Sequence, residues 1–385
     1  MVRIVLAPDS FKGSLSAPQV CAALSVGLVR VFPDADVRAR PMADGGEGTL
    51  DAVLSAVGTA GSHHHLTVCG ANGRPIAAAY GILDSPAGAT AVIEAAQVVG
   101  ITDRGGMSVD VGQRTSRGVG ELVTALLDQG VRRFMVGLGG SSTNDGGAGL
   151  LAALGMALHD AAGRQVGPGP EGLAALSHVD ASALDPRLAG CAITIMSDVN
   201  NPLTGEHGAT AIFGPQKGVA AANIRRIDET IAHFAVRAES AVGRRAANEP
   251  GAGAAGGLGF ALQLLGGIFH SGAAVVADLI GLDAALADAD WAITGEGRSD
   301  AQTLLRKAPL VVAERARAQS VPVTLLSGAI DADALPALGR IFAGCFSLPN
   351  GPMALEDCIA DAERLLADRA EQVARVLDAA RHARR

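Results

Sequence analysis

Six short apolar runs in the chain each end abruptly in a loop that is rich in glycine and acidic residues. The runs cover residues 3–7, 36–40, 133–136, 192–196, 291–294 and 321–326. Helical patterns follow most of these loops, and they cover residues 18–31, 118–129, 308–320 and 353–381. Strand, polar loop and helix in repeated alternation predict an α/β fold. Because ligands of open α/β sheets bind where strands end in loops, we expect these loops to meet at a cleft.

The length and composition of the chain predict two domains with ample apolar material for their cores. The chain has 385 residues, which exceeds one ordinary domain, and 49% of them are hydrophobic. The formal net charge is -8, and aromatic residues make up only 3%. Surfaces that bind nucleic acid are usually basic and often carry stacking aromatic side chains, so we expect no nucleic-acid partner.

Two features bear on the cellular compartment. Five cysteines are scattered along the chain without a Cys-x-x-Cys pair, which argues against a disulfide scaffold or a zinc site and favours a reducing compartment. The first apolar run meets Asp9 and Lys12 at once, so it predicts a β-strand rather than a signal peptide. We therefore expect a cytoplasmic protein.

One stretch is long and apolar enough to require a check for membrane insertion. Residues 256–277 contain no Asp, Glu, Lys or Arg. Gly266 and Gly267 interrupt the stretch, and His270 follows shortly after them. We therefore predict two buried helical pieces with a break between them, and no membrane partner.

Acidic residues occupy the loops that follow the predicted strands. They are Asp44, Glu47, Asp145, Asp198, Glu296 and Asp300. Hard divalent cations such as Mg²⁺ prefer carboxylate and water oxygens, and a carboxylate can serve as the base in phosphoryl transfer. These acids therefore predict a magnesium site and a general base. The histidines at 63–65 have no acids or cysteines nearby, and we interpret them as part of an exposed loop.

Glycine is enriched, and its clustering carries functional information. The chain has 50 glycines, and one dense cluster reads GLGGSSTNDGGAG at residues 137–149. Small residues let backbone N–H groups approach an anion, and three hydroxyl side chains add further donors. Because this loop is longer and more polar than a chance turn, it predicts phosphate binding.

Lysine is rare in this chain. Lysine and arginine together number 31, yet the only lysines are Lys12, Lys217 and Lys307. A compact ammonium group fits beside phosphate or substrate oxygens where a planar guanidinium does not. Lys12 and Lys217 each precede a glycine, and we expect both to be functional. A functional role and a plain surface role are equally compatible with Lys307.

Signatures of several other enzyme classes are missing from the sequence. It contains no Gly-x-x-x-x-Gly-Lys-Ser/Thr loop, no protein-kinase motif set and no nucleophile elbow. A dinucleotide-binding fingerprint does not follow the first strand. These classes are therefore disfavoured, and a different kind of phosphate-binding enzyme is expected.

Taken together, eight ordered segments resemble the type I glycerate kinases. They are APDSFKGSL (7–15), PMADGGEGT (41–49), GLGGSSTNDGGAG (137–149), SDVNNPLTG (197–205), FGPQKG (213–218), PGAGAAGGLG (250–259), GEGRSDAQT (295–303) and GPMALED (351–357). They span almost the whole chain, and eight motifs in the family's order are highly specific.

The resemblance implies ATP-dependent phosphorylation of D-glycerate with Mg²⁺, and it favours 2-phosphoglycerate over 3-phosphoglycerate as the product. It also implies two α/β domains with the active site in the cleft between them. The first is a discontinuous, flavodoxin-like three-layer domain of residues 1–75 and 280–385. The second, of residues 76–279, is inserted into the first.

Phosphoryl transfer depends on positioning and charge neutralisation, and each motif receives an expected role on that basis. The nucleotide phosphates are expected at Gly139, Gly140, Ser141, Ser142, Thr143 and Asn144. The substrate is expected at Ser10, Lys12, Arg298 and Asp300, with Arg298 as a bidentate clamp on its carboxylate. The expected catalytic residues are Asp198, Lys217, Lys12 and Asp44. The expected metal ligands are Asp145, Asp198 and Glu296, so that Asp198 is assigned as base or metal ligand.

Three places depart from the family pattern. Arg306 stands before Lys307 where the family usually has glycine, and Arg117 replaces a frequent tyrosine. Ala273 and Ala274 lie in a stretch where the family commonly carries an acid. Two alternatives to a glycerate kinase are therefore kept open. One is a kinase for another small hydroxy acid or sugar acid, and the other is a non-catalytic ATP-binding relative.

Overall fold

Strands and helices alternate along the chain, as the sequence predicted. The structure is a computed structural model that describes residues 1–86, 88–305 and 307–383. The strands are β1 (Arg3–Leu6), β2 (Asp36–Ala39), β3 (Gly61–Cys69), β4 (Pro75–Leu83), β5 (Thr90–Glu94), β6 (Arg133–Gly137), β7 (Ala157–His159), β8 (His178–Asp180), β9 (Ala192–Met196), β10 (Ile268–His270), β11 (Trp291–Thr294), β12 (Arg298–Ser299), β13 (Val323–Ser327), β14 (Ala329–Ile330) and β15 (Gly344–Ser347).

The α-helices lie mostly between these strands. They are α1 (Ala17–Val29), α2 (Thr49–Val57), α3 (Ala96–Val99), α4 (Arg104–Met107), α5 (Arg117–Asp128), α6 (Ala148–Ala153), α7 (Pro170–Leu173), α8 (Ala209–Phe213), α9 (Ile224–Val242), α10 (Leu258–Leu264), α11 (Gly272–Leu279), α12 (Leu282–Leu286), α13 (Ala308–Ala318), α14 (Leu335–Leu338), α15 (Leu355–Ala360) and α16 (Ala362–His382). Short 3₁₀ segments include Pro215–Lys217 and Ala301–Leu304. The α/β fold class is thereby confirmed.

The chain divides into two compact units. The first comprises Met1–Asp44, Asp51–Gly58 and the chain from Ser271 onwards. The second comprises Gly45–Leu50 and Thr59–His270. The second unit begins before the predicted boundary at residue 75, because β3 pairs with β4 along its whole length in the sheet of this unit. It ends at His270 rather than at the predicted residue 279.

The first unit is built on a parallel sheet of five strands in the order β15-β13-β11-β1-β2. Counted within this unit, the strand order is 5-4-3-1-2, which is the doubly wound order of flavodoxin. The order reverses between β1 and β11, and we call this position the switch point. Strands buried on both faces are continuously apolar, and β1 accordingly reads Arg-Ile-Val-Leu.

Helices cover this sheet in two separate layers. Side chains of α1 and α16 pack on β1 and β11 in one apolar cluster. On the other side of that cluster's strands, α13 contacts β11 and β13 and also α11 and α12. The start of α1 is fixed by a capping box, in which Ser16 N–H donates to Gln19 Oε1 at 2.8 Å, and by Pro18 in the first turn.

The second unit is built on a mixed sheet of six strands in the order β10-β9-β6-β5-β4-β3. β3, β4 and β5 are antiparallel neighbours, whereas β5, β6, β9 and β10 run parallel. In the register of the parallel part, Glu94 lies opposite Gly137, and Gly137 lies opposite Met196. The loops after β5, β6 and β9 therefore start side by side at one edge of the sheet.

The apolar stretch at residues 256–277 contains α10, β10 and most of α11. The two helical pieces with a break are confirmed, although strand β10 in the break was not predicted. Within the described parts of the chain, no helix combines the length and the apolar character that crossing a membrane requires.

The interpretation of the histidine tract as a loop is wrong. His63, His64 and His65 lie in β3, which is an edge strand of the second unit. Their side chains are exposed, as expected, and the ring of His64 stacks on Tyr80 with centroids 5.4 Å apart. Polar residues can occupy an edge strand because one row of its backbone groups and one face remain in water.

Candidate active site

A cavity of about 650 Å³ lies in the first unit at the carboxyl ends of its central strands. Its polar lining comes from the loops after β2, β1 and β11 and from the start of α13. The polar side chains include Asp9, Ser10, Lys12, Asp44, Glu296, Arg298, Asp300 and Lys307. The cavity is therefore at the switch point, where doubly wound sheets bind their ligands. Six residues that the sequence placed in a site are brought together here: Ser10, Lys12, Asp44, Glu296, Arg298 and Asp300.

The remaining wall of the cavity is apolar. It is formed by side chains that include Phe11, Leu348, Met353, Leu355 and Ile359. Ligand sites in proteins are typically apolar clefts with a few placed polar groups, and this cavity has that character. The sequence motif at residues 351–357 contributes to this wall, which a search for charged residues alone would have overlooked.

Glu296 is the centre of a buried hydrogen-bond network in the loop after β11. Its Oε1 accepts from Thr303 Oγ1 at 2.6 Å and from Ser299 Oγ at 3.0 Å. Its Oε2 lies 4.0 Å from Lys307 Nζ. Burial raises the pKa of Glu296, while the Thr303 hydroxyl and the Lys307 ammonium oppose that shift. Oε1 of Glu296 is thus held by two hydroxyl groups, whereas Oε2 faces Lys307 without a hydrogen bond to it.

Arg298 and Asp300 already have partners in the same loop. Arg298 donates from Nη2 and Nε to Asp331 Oδ1 at 2.7 and 3.1 Å. Asp300 caps the following 3₁₀ turn by accepting from Gln302 N–H at 2.7 Å. The bidentate edge of Arg298 is thus turned towards Asp331, and a substrate carboxylate would have to use the remaining Nη1 group or displace Asp331.

Asp9 also lines the cavity, although the sequence patterns did not indicate it as a site residue. It follows β1 directly, in the same context as the acids that were selected, so its position after a strand was the available signal. Its Oδ1 accepts from Ser10 N–H at 2.6 Å, and only 6% of the residue is exposed. Burial, with Asp44 and Glu296, raises the pKa of Asp9 to about 7, against the effects of the Ser10 N–H and Lys12.

In the second unit, two glycine loops approach each other without room for side chains. A Cβ on Gly137 would lie 2.5 Å from the carbonyl oxygen of Gly45, and one on Gly139 would lie 2.5 Å from the Cα of Gly46. The loop after β6 therefore packs directly on the backbone of the PMADGGEGT motif. This contact explains why glycine is needed at these positions irrespective of phosphate.

Lys217 is buried beneath the glycine-rich loop and contacts it by hydrogen bonds. It ends the 3₁₀ turn Pro215–Lys217, is 2% exposed, and donates from Nζ to Thr143 O at 2.7 Å and to Ser141 Oγ at 3.2 Å. Arg114 donates to the carbonyl oxygens of Lys217 and Ser142 at 2.8 and 3.2 Å. Burial lowers the pKa of Lys217 to about 7, although Asp145 opposes the shift. Lys217 thus holds the loop through two hydrogen bonds from a buried amine whose charge changes near neutral pH.

The residues of this loop differ in what they can offer to a phosphate. Ser142 is fully buried, and both its N–H and its Oγ–H donate to Val99 O, at 2.7 and 2.9 Å. Ser141 accepts from Lys217 and so retains its own hydroxyl proton for a ligand. Thr143 Oγ1 and Asn144 Oδ1 are buried and, within the described chain, have no hydrogen-bond partner. Gly139 and Gly140 are the more exposed part of the loop.

The unpartnered atoms allow a test of whether a nucleotide phosphate fits. A buried hydroxyl and a buried carbonyl without partners cost free energy unless water or a ligand satisfies them. A hydroxyl beside an ammonium group is a suitable donor set for phosphate oxygens. Ser141, which lies beside Lys217, is therefore the hydroxyl of this loop most suited to a phosphate oxygen, whereas Ser142 serves the fold.

Asp145 is a structural anchor in the second unit. It is fully buried, and its carboxylate accepts from Ser116 N–H and Oγ–H at 2.7 and 2.8 Å and from Gly147 and Gly149 N–H at 3.0 and 3.2 Å. Burial raises the pKa of Asp145, and these hydrogen bonds counteract that rise. Because four donors surround it, Asp145 joins α5 to the start of α6 and leaves little room for a metal ion.

Asp198 lies half-buried in the loop after β9, and it belongs to the second unit with Lys217 and Asp145. Among the described residues, no three His, Cys, Asp or Glu side chains converge as an all-protein metal site would need. Mg²⁺ is usually held by one or two carboxylates together with substrate phosphates and waters. A single carboxylate such as Asp198, near a phosphate loop, is compatible with that mode.

The departures from the family pattern have ordinary structural settings where they are described. Arg117 is the first residue of α5 and pairs with Glu121 at 2.8 Å, and Ala273 is buried in α11. Arg306 lies outside the described residues. The described departures therefore leave the cavity lining and the glycine-rich loop intact.

Comparisons with known proteins give the family. A family model described as "Glycerate kinase family" matches residues 4–378. The chain is 41% identical to a glycerate kinase of Bacillus subtilis (strain 168), over 97% of each chain, and 43% identical to a glycerate 2-kinase of Escherichia coli (strain K12), over 86% of each. A solved structure, designated glycerate kinase 2 from Salmonella typhimurium LT2, superposes with a TM-score of 0.86 at 40% identity and covers 99% of both chains. The chain belongs to the glycerate kinase family.

Proposed function

We propose that the protein phosphorylates D-glycerate with ATP as the phosphoryl donor. Support comes from the names of its relatives and, above all, from the cavity at the switch point. Lys12, Arg298 and Lys307 offer cations to a carboxylate, and Asp9 and Asp44 offer acceptors to hydroxyl groups. A small hydroxy acid combines these two needs in one molecule.

The proposed product is 2-phosphoglycerate. The supporting observation is that the Escherichia coli relative, 43% identical to this chain, carries the name glycerate 2-kinase. Phosphorylation at the 3-position is the alternative, and product analysis distinguishes the two.

We assign the nucleotide phosphates to the loop of Gly139 to Asn144 in the second unit. Lys217 lies beneath this loop and donates to Ser141 Oγ and Thr143 O, and a bound phosphate would favour its protonated form. Bound Mg²⁺ would neutralise charge on the nucleotide phosphates, and Asp198 is the proposed protein ligand. An Asp198→Asn variant is expected to lose roughly 10²- to 10³-fold in turnover.

The proposed substrate residues are Ser10, Lys12, Arg298 and Asp300. Lys12 is exposed at the cavity and offers an ammonium group, whereas Arg298 is shared with Asp331. Removing Lys12 should therefore raise KM for glycerate more than it raises KM for ATP.

The size of the cavity supports a second substrate class. About 650 Å³ lies in the range of sites for ligands much larger than a three-carbon acid. A larger hydroxy acid or sugar acid is thus the alternative acceptor.

ADP release coupled to a reporter enzyme, with ATP, Mg²⁺ and a panel of D-glycerate, L-glycerate and four- to six-carbon sugar acids, tests the proposal. The expected result is the highest kcat/KM with D-glycerate. A higher value for a sugar acid would replace the substrate and keep the kinase. ATP binding without acceptor-dependent turnover would contradict the enzyme itself and indicate a non-catalytic ATP-binding relative.

A further inference from the structure

We propose that Asp9 is the general base of the reaction, the group that takes the proton from the attacking hydroxyl of the acceptor. The inference rests on the proposed kinase function and assigns a chemical role in the cavity of the first unit.

Asp9 occupies the centre of the switch point. It follows β1, which lies between β2 and β11 in the parallel sheet. The loops after those two neighbours carry Asp44 and Glu296, so Asp9 stands between two other carboxylates that line the same cavity. Its main-chain N–H donates to Gly295 O at 2.8 Å, which ties the loop after β1 to the loop after β11.

The two carboxylate oxygens of Asp9 are used differently. Oδ1 accepts from Ser10 N–H at 2.6 Å, which fixes the plane of the carboxylate. Oδ2 has no hydrogen-bond partner within the described chain, although Asp9 is only 6% exposed and lines the cavity. A base needs one oxygen that is held and one that faces the proton to be removed, and Asp9 meets both conditions.

The other acids of the cavity differ from Asp9 in their exposure or in their partners. Glu296 accepts two hydroxyl hydrogen bonds on Oε1 and faces Lys307 with Oε2. Asp300 caps the 3₁₀ turn through Gln302 N–H. Asp44 is half-buried beside Asp9 and acts on it through its charge.

The charges around Asp9 suit a base that works near neutral pH. Burial is the largest cause that raises its pKa, to about 7, and the charges of Asp44 and Glu296 add to it. The Ser10 N–H and the Lys12 ammonium act in the opposite direction. Arg298, Asp300 and Lys307 complete the charged lining. The most effective base has a pKa close to the working pH, because it is then both ionised and sufficiently basic.

The step conserves atoms and charge. The acceptor hydroxyl oxygen forms a bond to the γ-phosphorus of ATP while its proton passes to Asp9 Oδ2. The bond between the γ-phosphorus and the bridging oxygen breaks, and ADP leaves with that electron pair. The protonated Asp9 then returns its proton to water before the next turnover.

The test compares Asp9→Asn with the wild type and with Asp34→Asn as a matched control. Asp34 is an exposed carboxyl in the first unit that does not line the cavity. The measurements are kcat and both KM values from about pH 5.5 to 9, the Mg²⁺ concentration for half-maximal rate, and glycerate binding by calorimetry. Circular dichroism checks that each variant folds.

The proposal expects kcat of Asp9→Asn to fall roughly 10²- to 10⁴-fold with glycerate binding and Mg²⁺ dependence near those of the wild type. The rise of wild-type kcat/KM through about pH 7 should be lost in the variant and kept in Asp34→Asn. A kcat within threefold of the wild type would overturn the proposal. A pH profile of Asp9→Asn that still rises through about pH 7 would also overturn the proposal. A loss of rate that excess Mg²⁺ restores would overturn it as well, because Asp9 would then be a metal ligand.

The experiments distinguish an incorrect substrate proposal from an incorrect assignment of Asp9 as the base. If the wild type turns over a different hydroxy acid, the same comparison is made with that acceptor. The result of that comparison then decides whether Asp9 is the base. If the wild type phosphorylates no acceptor, both proposals fail. If Asp9→Asn does not fold, Asp9→Ser replaces it, with the same expected loss and the same criterion for rejection.

Discussion

Two buried ionisable residues, one in each unit, illustrate how burial prepares a group for chemistry. Asp9 and Lys217 are 6% and 2% exposed. Burial brings the pKa of each to about 7, upwards for the carboxyl and downwards for the ammonium. Maintaining such groups costs stability, because the charged form is disfavoured away from water. Positions of this kind are frequent at functional sites.

We predict that Asp9→Asn stabilises the protein increasingly as the pH rises. The pKa of Asp9 is about 7 in the fold and 3.8 in its ordinary state, so the folded protein binds this proton more tightly. Its contribution to stability is complete below about pH 4 and is lost as the pH rises through about 7. The neutral amide removes this loss. The difference in free energy of unfolding between the variant and the wild type should therefore increase by about 2–3 kcal/mol from about pH 5 to about pH 8.

Urea unfolding at both pH values measures this difference. Asp34→Asn provides the control for a neutralised but exposed carboxyl, and it should show a difference that changes little with pH. A constant difference between Asp9→Asn and the wild type would contradict the assignment of a raised pKa to Asp9.

At the scale of single residues, the sequence identified six residues that the fold brings together, but it did not identify the hydrogen-bond partners of the others. Ser10, Lys12, Asp44, Arg298, Asp300 and Glu296 do line one cavity. Asp145 and Ser142 are instead engaged by hydrogen bonds from distant segments, Asp145 from Ser116 and Ser142 to Val99. A residue's type and its position after a strand cannot reveal such partners, because they depend on tertiary contacts.

At the scale of elements, the close contact between the loops at Gly45–Gly46 and Gly137–Gly139 leads to a specific prediction. In Gly139→Ala the new Cβ would lie 2.5 Å from the Cα of Gly46, so one loop must move. We expect loss of most kinase activity and a lower free energy of unfolding by about 1–3 kcal/mol. Kinetics and urea unfolding provide the two readouts.

Gly167→Ala is the matched control for that change. It lies in the same unit, and a Cβ there would meet no atom within 4 Å. Its activity and stability should stay close to those of the wild type. Equal behaviour of the two variants would show that the loops tolerate a shift and that their close approach is unimportant.

The packing of α1 on α16 gives a second prediction at this scale. In Gly27→Ala the Cβ would lie 2.0 Å from the carbonyl oxygen of Ala367 in α16. Backbone atoms cannot move aside as a flexible side chain can, so the helices must separate. We expect a loss of about 1–3 kcal/mol in the free energy of unfolding.

Gly351→Ala serves as the control for that variant, because its Cβ would meet no atom within 4 Å. Urea midpoints of both variants are compared with the wild type. An unchanged midpoint for Gly27→Ala would contradict the close approach of the two helices.

The strands that sequence patterns predicted all lie in the parallel parts of the two sheets, although β5, β10 and β15 in those parts were not predicted. The predicted bounds of β9 and β11 agree with the structure, and those of β1, β2, β6 and β13 agree within two residues. The antiparallel strands β3 and β4 were missed, since the histidine tract and the run of small residues in β4 lack strong β-propensity. The predicted C-terminal helix is interrupted at Asp361, between α15 and α16.

At the scale of the whole molecule, each unit contributes one part of the proposed chemistry. The first unit has the 5-4-3-1-2 sheet, and its cavity lies at the reversal of strand order between β1 and β11. The second unit has the glycine-rich loop, anchored by Lys217, Arg114 and Asp145. Both the cavity and the glycine-rich loop lie at the carboxyl ends of strands, where ligands of open α/β sheets generally bind.

The most direct test of the account is the ³¹P NMR spectrum, without proton decoupling, of the product made from ATP, Mg²⁺ and D-glycerate. The account predicts glycerate-dependent ADP release and a phosphate-ester doublet, since the phosphorus of 2-phosphoglycerate couples to a single methine proton. A triplet from a methylene group would contradict the proposed position of phosphorylation. Absence of any phosphate ester would contradict the central claim that this protein is a glycerate kinase.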